Sequence, residues 1–242
     1  GYMSIFVKWL VGFFLLIPVA YSDDHGSSSN TGAFTTFFVS AIDHEAYINE
    51  MKANQDLFES MGTSAAGFCR TMTGQDFRGQ MFVWNAYEDV SSALVASSSY
   101  DPEKAPSEFA KLREPKYSAA WKPIKPFGIG LNPGYERVQR LKISPSNMEA
   151  FIVALSKFEK AIRSAGHESF QNALFVPLGG GTNEVGTYML RSITSDAEAH
   201  GKIFDDYFAG ASWAPVYFEV AGLIDEVVSD NFEQCGMIYS AE

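Results

Sequence analysis

Basic residues are scarce in this chain. Lys and Arg together number 18 against 29 Asp and Glu, for a formal net charge of -11. No basic block or alternation of basic and aromatic residues occurs, which excludes a nucleic-acid partner. Histidine is also sparse, with only His25, His44, His167 and His200. No pair has i, i+4 spacing and no His-Glu-x-x-His occurs, so no metal site is expected. Gly179-Gly180-Gly181-Thr182 lacks the Lys-Ser/Thr ending and the following helix of a phosphate loop. No Gly-x-Ser-x-Gly elbow is present, which leaves a hydrolase unsupported. No cysteine lies near Ser22, which argues against a bacterial lipid anchor.

What is present begins with an address. Lys8 precedes the apolar run Trp9 to Val19, and Ala20-Tyr21-Ser22 offers small residues where a signal peptidase reads. The pattern predicts a secretory signal peptide over 1–22, too short to span a bilayer comfortably. The mature protein is expected to be secreted or periplasmic, with no stable membrane anchor after cleavage. Residues 23–32 are small and polar and read as a flexible leader. The body then runs from about Ala33, long enough for one sizeable core or two small coupled ones.

That body contains one pattern twice. Glu45-Ala46-Tyr47-Ile48 leads to Ser60-Met61-Gly62, and Glu149-Ala150-Phe151-Ile152 leads to Ser164-Ala165-Gly166. A repeat of this kind sets the architecture. Residues 33–42 are rich in Phe, Thr and Val and read as a strand. Asp43 should cap a helix with the stripe Tyr47, Ile48, Met51 and Phe58, stopped by Gly62. Strands at 65–72 and 80–87 flank a turn over 74–79, and Asp89 caps a second helix. The second half follows suit, with a strand at 135–143 and a helix opened by the capping box Ser146 and Glu149. Strands at 170–177 and 185–192 flank the glycine turn. A second capping box, Ser195 with Glu198, opens a helix carrying Ile203, Phe204, Tyr207 and Phe208. A last strand runs over 226–236. The fourth strand of the first half is expected near 124–131, interrupted by Pro123, Pro126 and Pro133 and so short or bent.

The fold class is therefore α+β. Two tandem ferredoxin-like βαββαβ repeats, 33–131 and 132–242, are expected to form one pseudo-dimeric α+β barrel after the signal peptide. Here the chain resembles the dimeric α+β barrel superfamily in its antibiotic-biosynthesis-monooxygenase-like branch. The resemblance rests on this order of elements and on Ser212-Trp213 leading through Ile224-Asp225-Glu226-Val227-Val228 into the last strand. In that family two chains usually pair, and here duplication would let one chain do so; a homo-oligomer stays open. The resemblance implies a small-ligand pocket or a cofactor-independent monooxygenase acting on an aromatic or polyketide-like compound. Such enzymes use Asn, Trp and Tyr or His in the pocket. Trp84-Asn85-Ala86-Tyr87 offers these types, but alternation puts Asn85 and Tyr87 on one face and Trp84 on the other. A haem-binding barrel is a third reading, with His200 beside an apolar helix face, though no cofactor is called for by any motif.

Register gives a candidate pocket. Phe37 and Val39 should face helices, while Thr36, Phe38 and Ser40 face the other way, as do Arg140 and Lys142 in the second half. If that face lines the lumen, an aromatic-hydroxyl wall meets a cationic wall, suited to a small apolar or aromatic acid. Cys69 and Cys235 fall on strands that barrel closure could bring to one seam. A disulfide there, or two buried free thiols, are both open.

Overall fold

A computed structural model describes residues 32–241. The expected signal peptide, and all of the leader except Gly32, lie outside the described residues. Eight strands form the body: β1 (Ala33–Ser40), β2 (Ala65–Thr73), β3 (Gln80–Tyr87), β4 (Glu114–Lys125), β5 (Tyr135–Lys142), β6 (Gln171–Leu178), β7 (Tyr188–Thr194) and β8 (Glu226–Ser240). The helices are α1 (His44–Ala53), α2 (Asp56–Ser60), α3 (Val90–Ser99), α4 (Ser107–Ala110), α5 (Met148–Ser164), α6 (Ala197–Phe208) and α7 (Ala214–Ala221). The strands close into a barrel in the order β1-β3-β2-β8-β5-β7-β6-β4, and every pairing is antiparallel. Read from β4, one arc runs β4-β1-β3-β2 and the other β8-β5-β7-β6. Two seams, β2 with β8 and β4 with β6, join the arcs and leave no strand edge open.

Alternation sorts the side chains. Along β3, Met81 and Val83 face outward onto Tyr47, Met51 and Phe58, while Phe82 and Trp84 point into the barrel. In the second arc, Leu141, Leu174 and Leu190 pack under Phe151, Leu155, Phe158 and Ile162 of α5. Tyr47 and Phe151, matched in the duplicated pattern, are both fully buried. Gly67 on β2 makes room for the inward indole: a Cβ there would stand 2.3 Å from the Trp84 ring.

Several local expectations are corrected. The helix expected from Asp43 to Gly62 breaks in two, because the Asn54 carboxamide folds back onto the Glu50 carbonyl at 2.9 Å. Neither serine capping box forms. Pro145 starts a short turn that puts Asn147 at the start of α5, and the carboxylate of Asp196 caps α6 by accepting from the Ala199 amide at 2.8 Å. Asp43 and Asp89 cap as expected, accepting from the Ala46 and Ser92 amides. The fourth strand lies at Glu114–Lys125, upstream of the position expected. It tolerates Pro115 and Pro123 because each sits beside a register shift, where a ladder hydrogen bond is interrupted anyway. Among the described residues no helix is long and apolar enough to cross a membrane.

Candidate functional site

The lumen is filled. Phe38, Phe82, Trp84 and Trp121 from one arc meet Phe175 and Met189 from the other. Only about 50 Å³ is left between them. Thr36 and Phe38 do lie in this interior, and the Trp121 indole donates to the Thr36 hydroxyl at 2.8 Å. Phe38 faces a packed core in which five large aromatic rings occupy the space, while Thr36 also reaches the larger cavity over the first arc. Ser40 lies at the rim and donates to the Arg78 carbonyl at 2.7 Å. Arg140 is committed elsewhere: Glu184 accepts from its guanidinium at 2.8 and 2.9 Å and from the Tyr117 hydroxyl at 2.8 Å. Lys142 stands in water, paired with Glu226 at 2.7 Å. The cationic wall read from register is thus neutralised at Arg140 and solvated at Lys142.

The middle of the barrel holds a charge cluster. Arg191 donates to Glu136 and to Glu233, each at 2.6 Å, and all three side chains are buried. Burial raises the pKa of Glu136. Arg191 also lies 3.4 Å from both sulfurs of the bonded pair Cys69 and Cys235, whose Cα atoms are 4.0 Å apart across the β2–β8 seam. Cys69, Glu233 and Cys235 are the one group of three metal-type donors among the described residues. With the sulfurs joined to each other and a guanidinium against them, this set does not suit a cation.

The larger cavities lie outside the barrel wall, between sheet and helices. One, of about 610 Å³, sits over the first arc. The outward faces of β1 and β3 supply Thr35, Phe37, Asn85 and Tyr87, and the helices supply Tyr47, Met51, Phe58 and Phe109. Two polar groups are unusual here. Asn85 is buried, its Oδ1 finds no hydrogen-bond partner, and its side chain lines the cavity. Arg113, just before β4, donates to the hydroxyls of Tyr47 at 3.0 Å and Tyr100 at 2.7 Å, and its guanidinium lies 4.5 Å from the Phe37 ring centre. Among the described residues no carboxylate lies within ion-pair distance of it. Burial pushes the Tyr47 phenol up to about 12, so it stays protonated at neutral pH.

The second cavity, of about 470 Å³, lies over the other arc among α5, α6 and α7. His200 lines it, with Nδ1 3.0 Å from the Thr194 hydroxyl and the rings of Phe204 and Phe232 on either side. Burial lowers its pKa to about 4, so the imidazole is neutral. Arg137 is the only cation lining this cavity and is held by Asp230.

Asn85 and Tyr87 share one wall while Trp84 turns inward, as alternation requires. Arg113 and Tyr100 carry no sequence signal: they belong to an irregular stretch without periodicity. The β strands place the cavity floor, and the loop around α4 brings Arg113 over it.

No protein-family model matches the chain, and no curated protein matches it. Solved structures do. A candidate monooxygenase from Lactobacillus acidophilus NCFM superposes with a TM-score of 0.57 at 10% identity, covering 84% of this chain and 93% of its own. A candidate monooxygenase from Fusobacterium nucleatum gives a TM-score of 0.51 at 9% identity, over 86% and 93%. A chlorite dismutase variant from Candidatus Nitrospira defluvii gives 0.50 at 10% identity, over 87% and 93%. At such identities the likeness is one of fold, and the chain shares its closed α+β barrel with these proteins.

Proposed function

We propose that this protein is a small-ligand-binding α+β barrel whose ligand sits between the sheet and the helices of the first arc. Asn85 carries the reading. A buried carbonyl oxygen without a donor, as at its Oδ1, is costly, on the order of 1–3 kcal/mol, unless something supplies one. Here the missing partner would come from the cavity. The volume falls in the range of roughly 300–1,000 Å³ common for small-molecule sites. In the same reading the chain is a fused pair of ferredoxin-like halves, 33–131 and 132–242, exported by way of 1–22. Association with further copies would use outer faces, since the closed barrel offers no edge. Native mass spectrometry of protein purified under mild conditions tests the reading. A retained small molecule that is lost in Ser97→Trp, which fills the cavity from α3, supports it. Retention of the same molecule in that variant overturns it.

Two other readings each rest on one observation. Asn85 and Tyr87 on a common cavity wall suit a cofactor-independent monooxygenase, and two structures of like fold are named as candidate monooxygenases. Oxygen uptake with quinols or phenols, absent in Asn85→Leu, would establish it. His200 in the second cavity is the observation for haem. The fit is partial: a neutral imidazole is present, but the one lining cation that could meet a propionate is paired with Asp230. Absence of a Soret band after haem addition removes this reading.

A further inference from the structure

The cavity over the first arc has one charge that the protein does not balance. Arg113 has five N–H donors. Two go to the phenols of Tyr47 and Tyr100, both neutral hydroxyls, which leaves three N–H groups unassigned. The two phenols and the ring of Phe37 fix the guanidinium from three sides. The other arginines that line cavities are handled differently. Arg191 in the lumen holds Glu136 and Glu233, and Arg137 in the second cavity holds Asp230. Arg113 alone among them is oriented without a counter-charge, and it is half-buried. The same cavity is lined by the apolar side chains of Met51, Phe58 and Phe109 and by Asn85, whose Oδ1 finds no partner.

We propose that the ligand of this cavity is an amphipathic monocarboxylic acid, its carboxylate held by Arg113 and its apolar body reaching toward Asn85. The inference rests on the reading of this cavity as the ligand site. A guanidinium fork matches a carboxylate with two parallel hydrogen bonds. One cation balances one negative charge. A phosphate dianion would call for a second cation, and Arg113 is the one Lys or Arg that lines this cavity. The acid would also discharge the cost of a partly desolvated, unpaired cation.

The test compares acids with their uncharged primary amides. Purified protein is titrated with 2-naphthoic acid and 2-naphthamide, and with undecanoic acid and undecanamide, followed by calorimetry. The acid of each pair is expected to bind at least about tenfold more tightly than its amide. In Arg113→Met the two should bind within about twofold of each other. Arg113→Lys should retain a preference, and Asn85→Leu should weaken acid and amide alike. Circular dichroism spectra superposing on the parent establish that each variant is folded. Equal binding of acid and amide to the parent, or a preference that survives Arg113→Met, overturns the proposal while leaving the cavity in place. Binding of both compounds undiminished in Ser97→Trp overturns the cavity reading itself. Failure of all four compounds to bind the parent overturns both.

Discussion

Arg191 shows how a single residue organises the interior. It bridges two carboxylates that would otherwise face each other without water. Arg191→Met would leave them unbalanced, and breaking such a buried pair costs about 3–5 kcal/mol. The loss should appear in urea melts at pH 7 and shrink at pH 5, as a carboxyl takes up a proton. The triple change Arg191→Met, Glu136→Gln and Glu233→Gln should recover much of it. A loss below about 1 kcal/mol in the single variant would show that water or local movement solvates the pair. His200 makes the second residue-scale prediction. Its pKa is lowered to about 4 by burial, against about 6.5 when unfolded. Between these values the unfolded chain binds the extra proton, so stability falls as pH drops from about 6.5 to about 4 and levels off below. The full effect is on the order of 3 kcal/mol. His200→Gln can keep the bond to Thr194 but cannot titrate. Its stability profile should be flatter than the parent's across that window, and parallel profiles would refute the assignment.

Among the elements, α1 and α5 hold matching places yet carry different loads. Phe158 packs against Phe170, Trp213 and Tyr217 inside the second helical layer. Asn54, its counterpart in the duplicated pattern, instead ends α1 and bonds back to Glu50. Phe158→Ala should therefore cost about 3–5 kcal/mol. Asn54→Ala, which loses a partly exposed bond, should cost about 1 kcal/mol. Similar shifts in chemical melts would contradict this division of labour. These same elements mark what a sequence can disclose. Period-2 and period-3.6 stripes placed strands and helices well, because each stripe must face one layer. They could not show that α1 would break at Asn54, which depends on a side chain folding back on the turn before it. Nor could they say which side of the sheet keeps open space. Alternation assigned Phe38 and Thr36 to one face correctly, but whether that face is hollow depends on the summed volume of Phe82, Trp84, Trp121 and Phe175 from other strands. Arg113 was invisible for a further reason: a loop, not a periodic element, carries it to the cavity.

At the scale of the whole molecule, the barrel is closed by two seams that differ in kind. The β4–β6 seam is held by backbone pairing and carries Pro123 at a register shift. The β2–β8 seam is crossed by the bond between Cys69 and Cys235, paired in register and separated by 166 positions in sequence. These strands come from opposite ends of the described chain, so the loop they close includes nearly the whole fold. On the chain-entropy model a cross-link over a loop of this length restricts the unfolded ensemble by about 5 kcal/mol, although native strain commonly reduces what is realised. The double variant Cys69→Ala and Cys235→Ala should thus lower the free energy of unfolding by about 3–5 kcal/mol. It should speed unfolding more than it slows refolding if the terminal strand β8 docks late. Thiol titration of denatured, unreduced protein should find no free thiol, and after reduction two. The side chains around the seam offer a control. Arg191 touches both sulfurs, so its salt bridges should persist in the alanine variant and keep the lumen ordered. Near-ultraviolet circular dichroism from the packed indoles of Trp84 and Trp121 should then match the parent apart from the disulfide's own contribution. An unchanged unfolding free energy in the double variant would mean that the seam is held by backbone pairing alone, and that both arcs stay joined without the cross-link.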